Sequence, residues 1–144
     1  MLAHDPETYV WLQLMASQVE KKLLHLNAAA FPKGYCHFDF LPKNFHFEGD
    51  NVTFFDFDFM GYGFLINDIM TFWQHLTLDV FAGRMTQQAA REAYAVFLQG
   101  YRAIRPVSEQ ELAGVPYLSL GFWLFIWRFI PHTISFMRLP SQPM

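Results

Sequence analysis

Between Phe45 and Phe55 two short apolar runs, Phe45-His46-Phe47-Glu48 and Val52-Thr53-Phe54-Phe55, flank Gly49-Asp50-Asn51. Gly tolerates positive φ, and Asp and Asn bond their own backbone, so these three residues favour a tight turn. The pattern predicts two strands joined as a hairpin. A hairpin returns the chain to where it entered, so Asn44 and Asp56 come to lie side by side, with Asp39 close by. The stretch Tyr35–Gly63 is therefore the part of the chain whose geometry is most restricted.

The residues gathered this way suit one chemistry. A divalent cation on nucleotide phosphates takes oxygen ligands, typically a carboxylate and an amide, which Asp56 and Asn44 would supply. A further carboxylate, Asp39, could orient an acceptor hydroxyl and take its proton. The order H-x-D-x-x-x-x-N, followed by Asp after a strand pair, is the kinase-type arrangement.

His37-Phe38-Asp39-Phe40-Leu41-Pro42-Lys43-Asn44, Phe55-Asp56-Phe57-Asp58, Gly61-Tyr62-Gly63 and Asn67-Asp68-Ile69 together resemble the aminoglycoside phosphotransferase and choline kinase family, which shares the protein-kinase-like fold. The resemblance is close from Gly34 to Asp68 and loose elsewhere. It implies that Asp39 is the catalytic base, that Asn44 and Asp56 bind magnesium, and that His37 and Asp68 brace the loop. It also implies Mg2+ with ATP as phosphate donor. The family usually has Gly where Phe38 stands and often His where Leu41 stands; neither change removes a group that handles phosphate. Only 38 residues precede Asp39, with no Gly-rich loop and no strand carrying a phosphate-binding Lys. The expectation is a single domain over residues 1–144, α+β and mainly α-helical, like a kinase C-terminal lobe with a small β-hairpin and without the N-terminal nucleotide lobe.

At 144 residues the chain can bury a sizeable core. Its apolar share of 53% exceeds the usual ~45–50%, and 17 residues are Phe. That surplus predicts aromatic surface available for self-association. A net charge of −3 argues against a nucleic-acid partner, which clustered Lys and Arg would hold. A single Cys, Cys36, excludes an internal disulfide and fits a reducing cytoplasm, and no signal peptide is visible. Cys36 reads either as a thiolate nucleophile or as a small buried residue ending a strand.

Several residues carry two readings. His37 could ligate a metal with His46 or Asp39, or bond backbone carbonyls. His46 alternates with Phe45 and Phe47 and faces solvent. Asp58, two residues after Asp56, would share its side in extended chain and touch a second metal or the substrate; otherwise it bonds amides of the Gly61-Tyr62-Gly63 turn, which reads as a loop. Asp68 bonds catalytic-loop amides or favours a helix N-terminus.

The remaining pattern is scaffold. Asp5-Pro6-Glu7 opens a helix to about Asn27. Others run from about Leu65 to Thr77 and from a Thr86 cap to about Ile104, with Ala89, Ala93, Val96, Phe97 and Tyr101 inward. Ser108-Glu109-Gln110-Glu111 is a capping box that starts a short helix to Ala113. Pro116–Phe136 is the most apolar part. Its uncharged run, Leu112–Trp127, has 16 residues against the ~20 of a membrane span, which favours a buried core helix. His132 and Arg138 could reach a cleft.

Three functions follow. The first is transfer of the ATP γ-phosphate to a hydroxyl of a small, cationic molecule, aminoglycoside-, choline- or homoserine-like, since Asp39, Asp56, Asp58 and Asp68 make an acidic cleft. The second is a truncated, inactive kinase-like binding module. The third is a metal-dependent phosphoesterase using His37, Asp39, His46, Asp56 and Asp58.

Overall fold

The hairpin forms where the turn residues place it. In the computed structural model, which describes residues 6–129, β2 (Phe45–Glu48) and β3 (Asn51–Phe54) pair antiparallel. Phe45 lies opposite Phe54 and Glu48 opposite Asn51. Gly49 takes φ 57, a value that suits glycine at the first central position of a two-residue turn.

A second two-stranded ladder joins segments far apart in sequence. β1 (Lys33–Cys36) pairs antiparallel with β4 (Gly61–Phe64), with Gly34 opposite Gly63 and Tyr35 opposite Tyr62. The loop expected at Gly61-Tyr62-Gly63 is thus a strand. Tyr35 is 75% exposed and meets Tyr62 edge-on at 5.8 Å.

Among the described residues four helices make the bulk: α1 (Pro6–His25), α2 (Ile66–Phe81), α3 (Gln87–Ile104) and α4 (Glu109–Phe129). The fold is α+β and mainly α-helical. The core is built on α2, where Ile66, Ile69 and Met70 share one face and are fully buried. Ala28, Phe31 and Val115 complete it, flanked by Leu23, Leu26, Trp73, Phe97 and Tyr101. On α1 only Val19 is buried among the described side chains, and Tyr9, Trp11 and Leu14 are exposed.

Two helix readings change. Ala90 is buried on α3, while Ala89 and Val96 face outward, so the inward face is Ala90, Tyr94, Phe97, Leu98 and Tyr101. The Thr86 cap itself forms, its Oγ1 accepting from the Ala89 N–H at 3.1 Å. The capping box also forms: the Ser108 N–H donates to Glu111 Oε2 at 2.9 Å, and the Glu111 N–H donates to Ser108 Oγ at 3.1 Å. The helix it opens, however, is 21 residues long and runs through Pro116. Proline there removes one hydrogen bond, and the neighbouring Val115 is buried in the core.

Among the described residues no helix is long and apolar enough to cross a membrane. The end of the apolar segment, with His132 and Arg138, lies outside the described residues, as does Asp5.

Candidate functional site

β1 delivers the chain into a loop whose backbone is anchored from α2. The Asp68 carboxylate accepts the His37 N–H through Oδ2 at 3.1 Å and the Phe38 N–H through Oδ1 at 2.9 Å. Two oxygens of one carboxylate thus hold two consecutive amides, one of them on a residue at φ 62. A bulky side chain in the left-handed region is rare, and such strain persists only where the surroundings enforce it. Burial pushes the Asp68 carboxyl above its ordinary range, and the two amides oppose that shift without cancelling it.

Asp39 follows directly. Its carbonyl accepts from the Leu41 N–H at 2.9 Å, and a short 3-10 turn, Pro42–Asn44, folds the chain back. Asn44 is 2% exposed, and its Nδ2 donates to the Asp39 carbonyl at 2.8 Å and to Asp39 Oδ2 at 2.9 Å. Because the amide N–H groups point at Asp39, the atom of Asn44 left for any other partner is its carbonyl Oδ1. Lys43 Nζ lies 3.2 Å from Asp39 Oδ2. Sequence reasoning passed over that ion pair, although the spacing of four residues between the two was a signal for it.

The hairpin ladder continues one step past β2, with the Phe55 N–H donating to the Asn44 carbonyl at 3.2 Å. Asp56 is therefore the next residue after the one bonded to Asn44. It sits at φ 65, is exposed, and has no side-chain partner among the described residues. Only Asn27, Phe38 and Asp56 are non-glycine residues with positive φ among those described, and two of the three flank this site. Past Asp56 the chain curls into a 3-10 turn, Phe57–Phe59. Asp58 rides on that turn, so the extended geometry that would align it with Asp56 is absent.

His37 is buried, and its Nε2–H donates to the Phe55 carbonyl at 3.0 Å, tying the loop before the hairpin to the segment after it. Its ring lies 4.8 Å from that of Phe57. Its Nδ1 is buried without a protein partner. His46 is exposed on the hairpin, opposite Thr53. Among the described residues no three His, Cys, Asp or Glu side chains gather as they would around a metal ion. The five-ligand centre that a phosphoesterase would need from His37, Asp39, His46, Asp56 and Asp58 is therefore not assembled.

Cys36, one residue before His37, is 2% exposed, and its Sγ–H lies 3.1 Å from the Phe64 carbonyl. Burial, with the nearby Asp68 charge adding to it, pushes the thiol up to about 11. A thiolate nucleophile needs the opposite environment.

Residues 2–107 match the family model described as the phosphotransferase enzyme family. Homoserine kinase from Polaromonas naphthalenivorans is 30% identical over 121 residues, covering 79% of this chain and 37% of the relative. Homoserine kinase from Brucella ovis is 30% identical over 93 residues, covering 65% of this chain and 27% of the relative. The chain thus spans about a third of the length of these curated relatives. No solved structure matches it. The match over residues 2–107 takes in the whole His37–Asp68 constellation, and the chain belongs to the phosphotransferase enzyme family.

Proposed function

We propose that this chain carries the catalytic-loop part of an ATP-dependent phosphotransferase that phosphorylates a hydroxyl of a small molecule. The observation that carries the reading is the pair of hydrogen bonds from Asn44 Nδ2 to Asp39, because it fixes a carboxylate and turns the amide oxygen away from it. In this reading Asp39 accepts the acceptor's hydroxyl proton as the new oxygen–phosphorus bond forms and the bond between the γ-phosphorus and the β,γ-bridging oxygen breaks. Asn44 Oδ1 and the unpartnered Asp56 carboxylate are hard oxygen donors, a set that fits magnesium. Magnesium, when bound, supplies charge neutralisation at the transferring phosphates. His37 and Asp68 keep the loop in place from the Phe55 carbonyl and from α2.

The acceptor class drawn from the sequence is a small cationic hydroxyl compound, and the relatives' name directs it toward homoserine. Homoserine carries both an ammonium and a primary hydroxyl. The acidic groups Asp39, Asp56 and Asp58 would favour that ammonium.

A second reading is a kinase-like binding module without turnover. Calorimetry of ATP with magnesium on this chain and on Asp56→Ala tests both readings. Saturable binding lost in the variant supports the phosphotransferase; absence of binding in a folded chain favours the module. Where turnover is found with an acceptor, Asp39→Ala should lower it by roughly 10²–10⁴-fold.

Self-association is part of the proposal. Tyr35, Phe47, Phe59 and Tyr62 are each about two-thirds exposed or more, an aromatic surface that favours contact with a second copy. Light scattering on a size-exclusion column should give more than one chain mass, and a clean monomer sinks the idea.

A further inference from the structure

Phe38 stands out because three independent constraints meet on it. Its backbone is left-handed, its N–H is held by Asp68, and its ring lies across β4. Gly61 and Gly63 are two apart in that strand, so both present the same face. A methyl group on Gly63 would come within 2.6 Å of Phe38 Cζ, and one on Gly61 would lie 3.5 Å from Phe38 Cε2. The two glycines therefore form a shallow groove, and the Phe38 ring fills it. Bare glycine in a strand costs order and packing, and here it marks the close approach of another group.

The residue next to Phe38 is Asp39. We propose that Phe38 is a positioning residue for Asp39: its ring, seated in the Gly61–Gly63 groove, transmits the placement of β4 to the loop and sets the turn that presents the Asp39 carboxylate to Asn44. The consequence for function rests on the reading of Asp39 as the base; the mechanical coupling does not. A residue in the left-handed region returns to ordinary backbone unless something holds it. Asp68 fixes the amide, and the ring fixes the direction in which the chain leaves it. The groove ties Asp39 to β4, which follows Asp56 in sequence, so the two carboxylates share one support.

The test uses the full chain, labelled with nitrogen-15, and reads solvent exchange of the Asn44 side-chain amide protons. These protons bond Asp39 directly, and their exchange is insensitive to ring-current changes. Gly63→Ala should speed the exchange roughly tenfold, the factor that one hydrogen bond to a charged group supplies. In a Phe38→Gly background the same Gly63→Ala change should have no effect, because no ring is left to push. Two results overturn the proposal. One is Gly63→Ala lowering the urea midpoint with Asn44 exchange unchanged. The other is equal acceleration in both backgrounds, which would route the effect through Asn67, whose Nδ2 lies 3.0 Å from the added methyl. If Gly63→Ala does not fold, Phe38→Ala decides: roughly tenfold faster exchange supports the coupling, and unchanged exchange removes it. The readout needs neither nucleotide nor turnover, so a chain that fails to bind ATP still answers this question separately.

Discussion

The side chain of Asn44 binds Asp39 twice, once at the carbonyl and once at Oδ2, at 2.8 and 2.9 Å. The pair closes a loop of six residues and leaves Asn44 almost fully buried. Asn44→Ala removes both bonds and strands the Asp39 groups they served. Loss of a buried hydrogen-bonding partner costs about 1–3 kcal/mol, and urea unfolding should read a decrease of that size. Magnesium-dependent nucleotide affinity should fall in the same variant. A variant that loses stability but keeps that affinity would remove Asn44 from the proposed metal site.

Asp68 makes a pH prediction with a definite sign. Its folded carboxyl titrates above its ordinary range because of burial, despite the bonds from His37 and Phe38. The folded state therefore holds that proton more tightly than the unfolded chain. The contribution is fully present below the ordinary carboxylate range and declines as pH rises through the raised folded value. Urea midpoints of the parent and of Asp68→Asn, taken from pH 3.5 to 7 (roughly, the span over which carboxylates titrate), should show the parent losing ground with rising pH. Parallel curves would mean that the bonds from His37 and Phe38 offset the burial.

Cys36 should be inert in the folded protein. With the thiol pushed up to about 11, only about one molecule in a thousand carries the thiolate at pH 8. A disulfide reagent should therefore leave Cys36 unlabelled in buffer and label one equivalent in denaturant. Rapid labelling of the folded chain would revive its reading as a nucleophile.

The site was legible in sequence where its geometry is local. The spacing from His37 to Asn44, the Gly49 turn and the caps at Thr86 and Ser108 all act within a few residues, and each forms in the fold. Long-range relations were not legible. Gly61 and Gly63 read as a loop because glycine usually interrupts structure. They are a strand because β1, 28 residues earlier, pairs with them and because Phe38 needs the space they leave. The left-handed turn at Phe38 has no signature in a residue that ordinarily avoids it. The helix opened by the capping box was expected to end near Ala113, yet it runs on through Pro116, with Val115 beside that proline buried. Local rules thus located the loop and the hairpin of the candidate site, and tertiary packing decided how their supports were built.

Glu111 gives the opposite pH sign to Asp68 and tests the scaffold behind the site. Arg105 Nη2 donates to Glu111 Oε1 at 2.9 Å, and the Ser108 N–H donates to Oε2. Arg105 also donates to Tyr101 Oη, whose own O–H lies 3.3 Å from the Leu65 carbonyl, just ahead of α2. The network therefore ties the α3–α4 junction to the helix that carries Asp68. Burial alone would raise the Glu111 carboxyl, but the Ser108 amide and the Arg105 guanidinium outweigh it and hold it below its ordinary range. Its contribution is present above the unfolded value and is lost as pH falls through the lower folded one. Glu111→Ala leaves a largely buried guanidinium without its partner and undoes a helix cap. The expected loss at pH 7 is roughly 2–4 kcal/mol, read by urea unfolding. That loss should be smaller at an acid pH below the lowered folded value, where the parent's carboxylate is itself protonated. An equal loss at both pH values would show that packing of the Glu111 side chain, and not its charge, holds the junction.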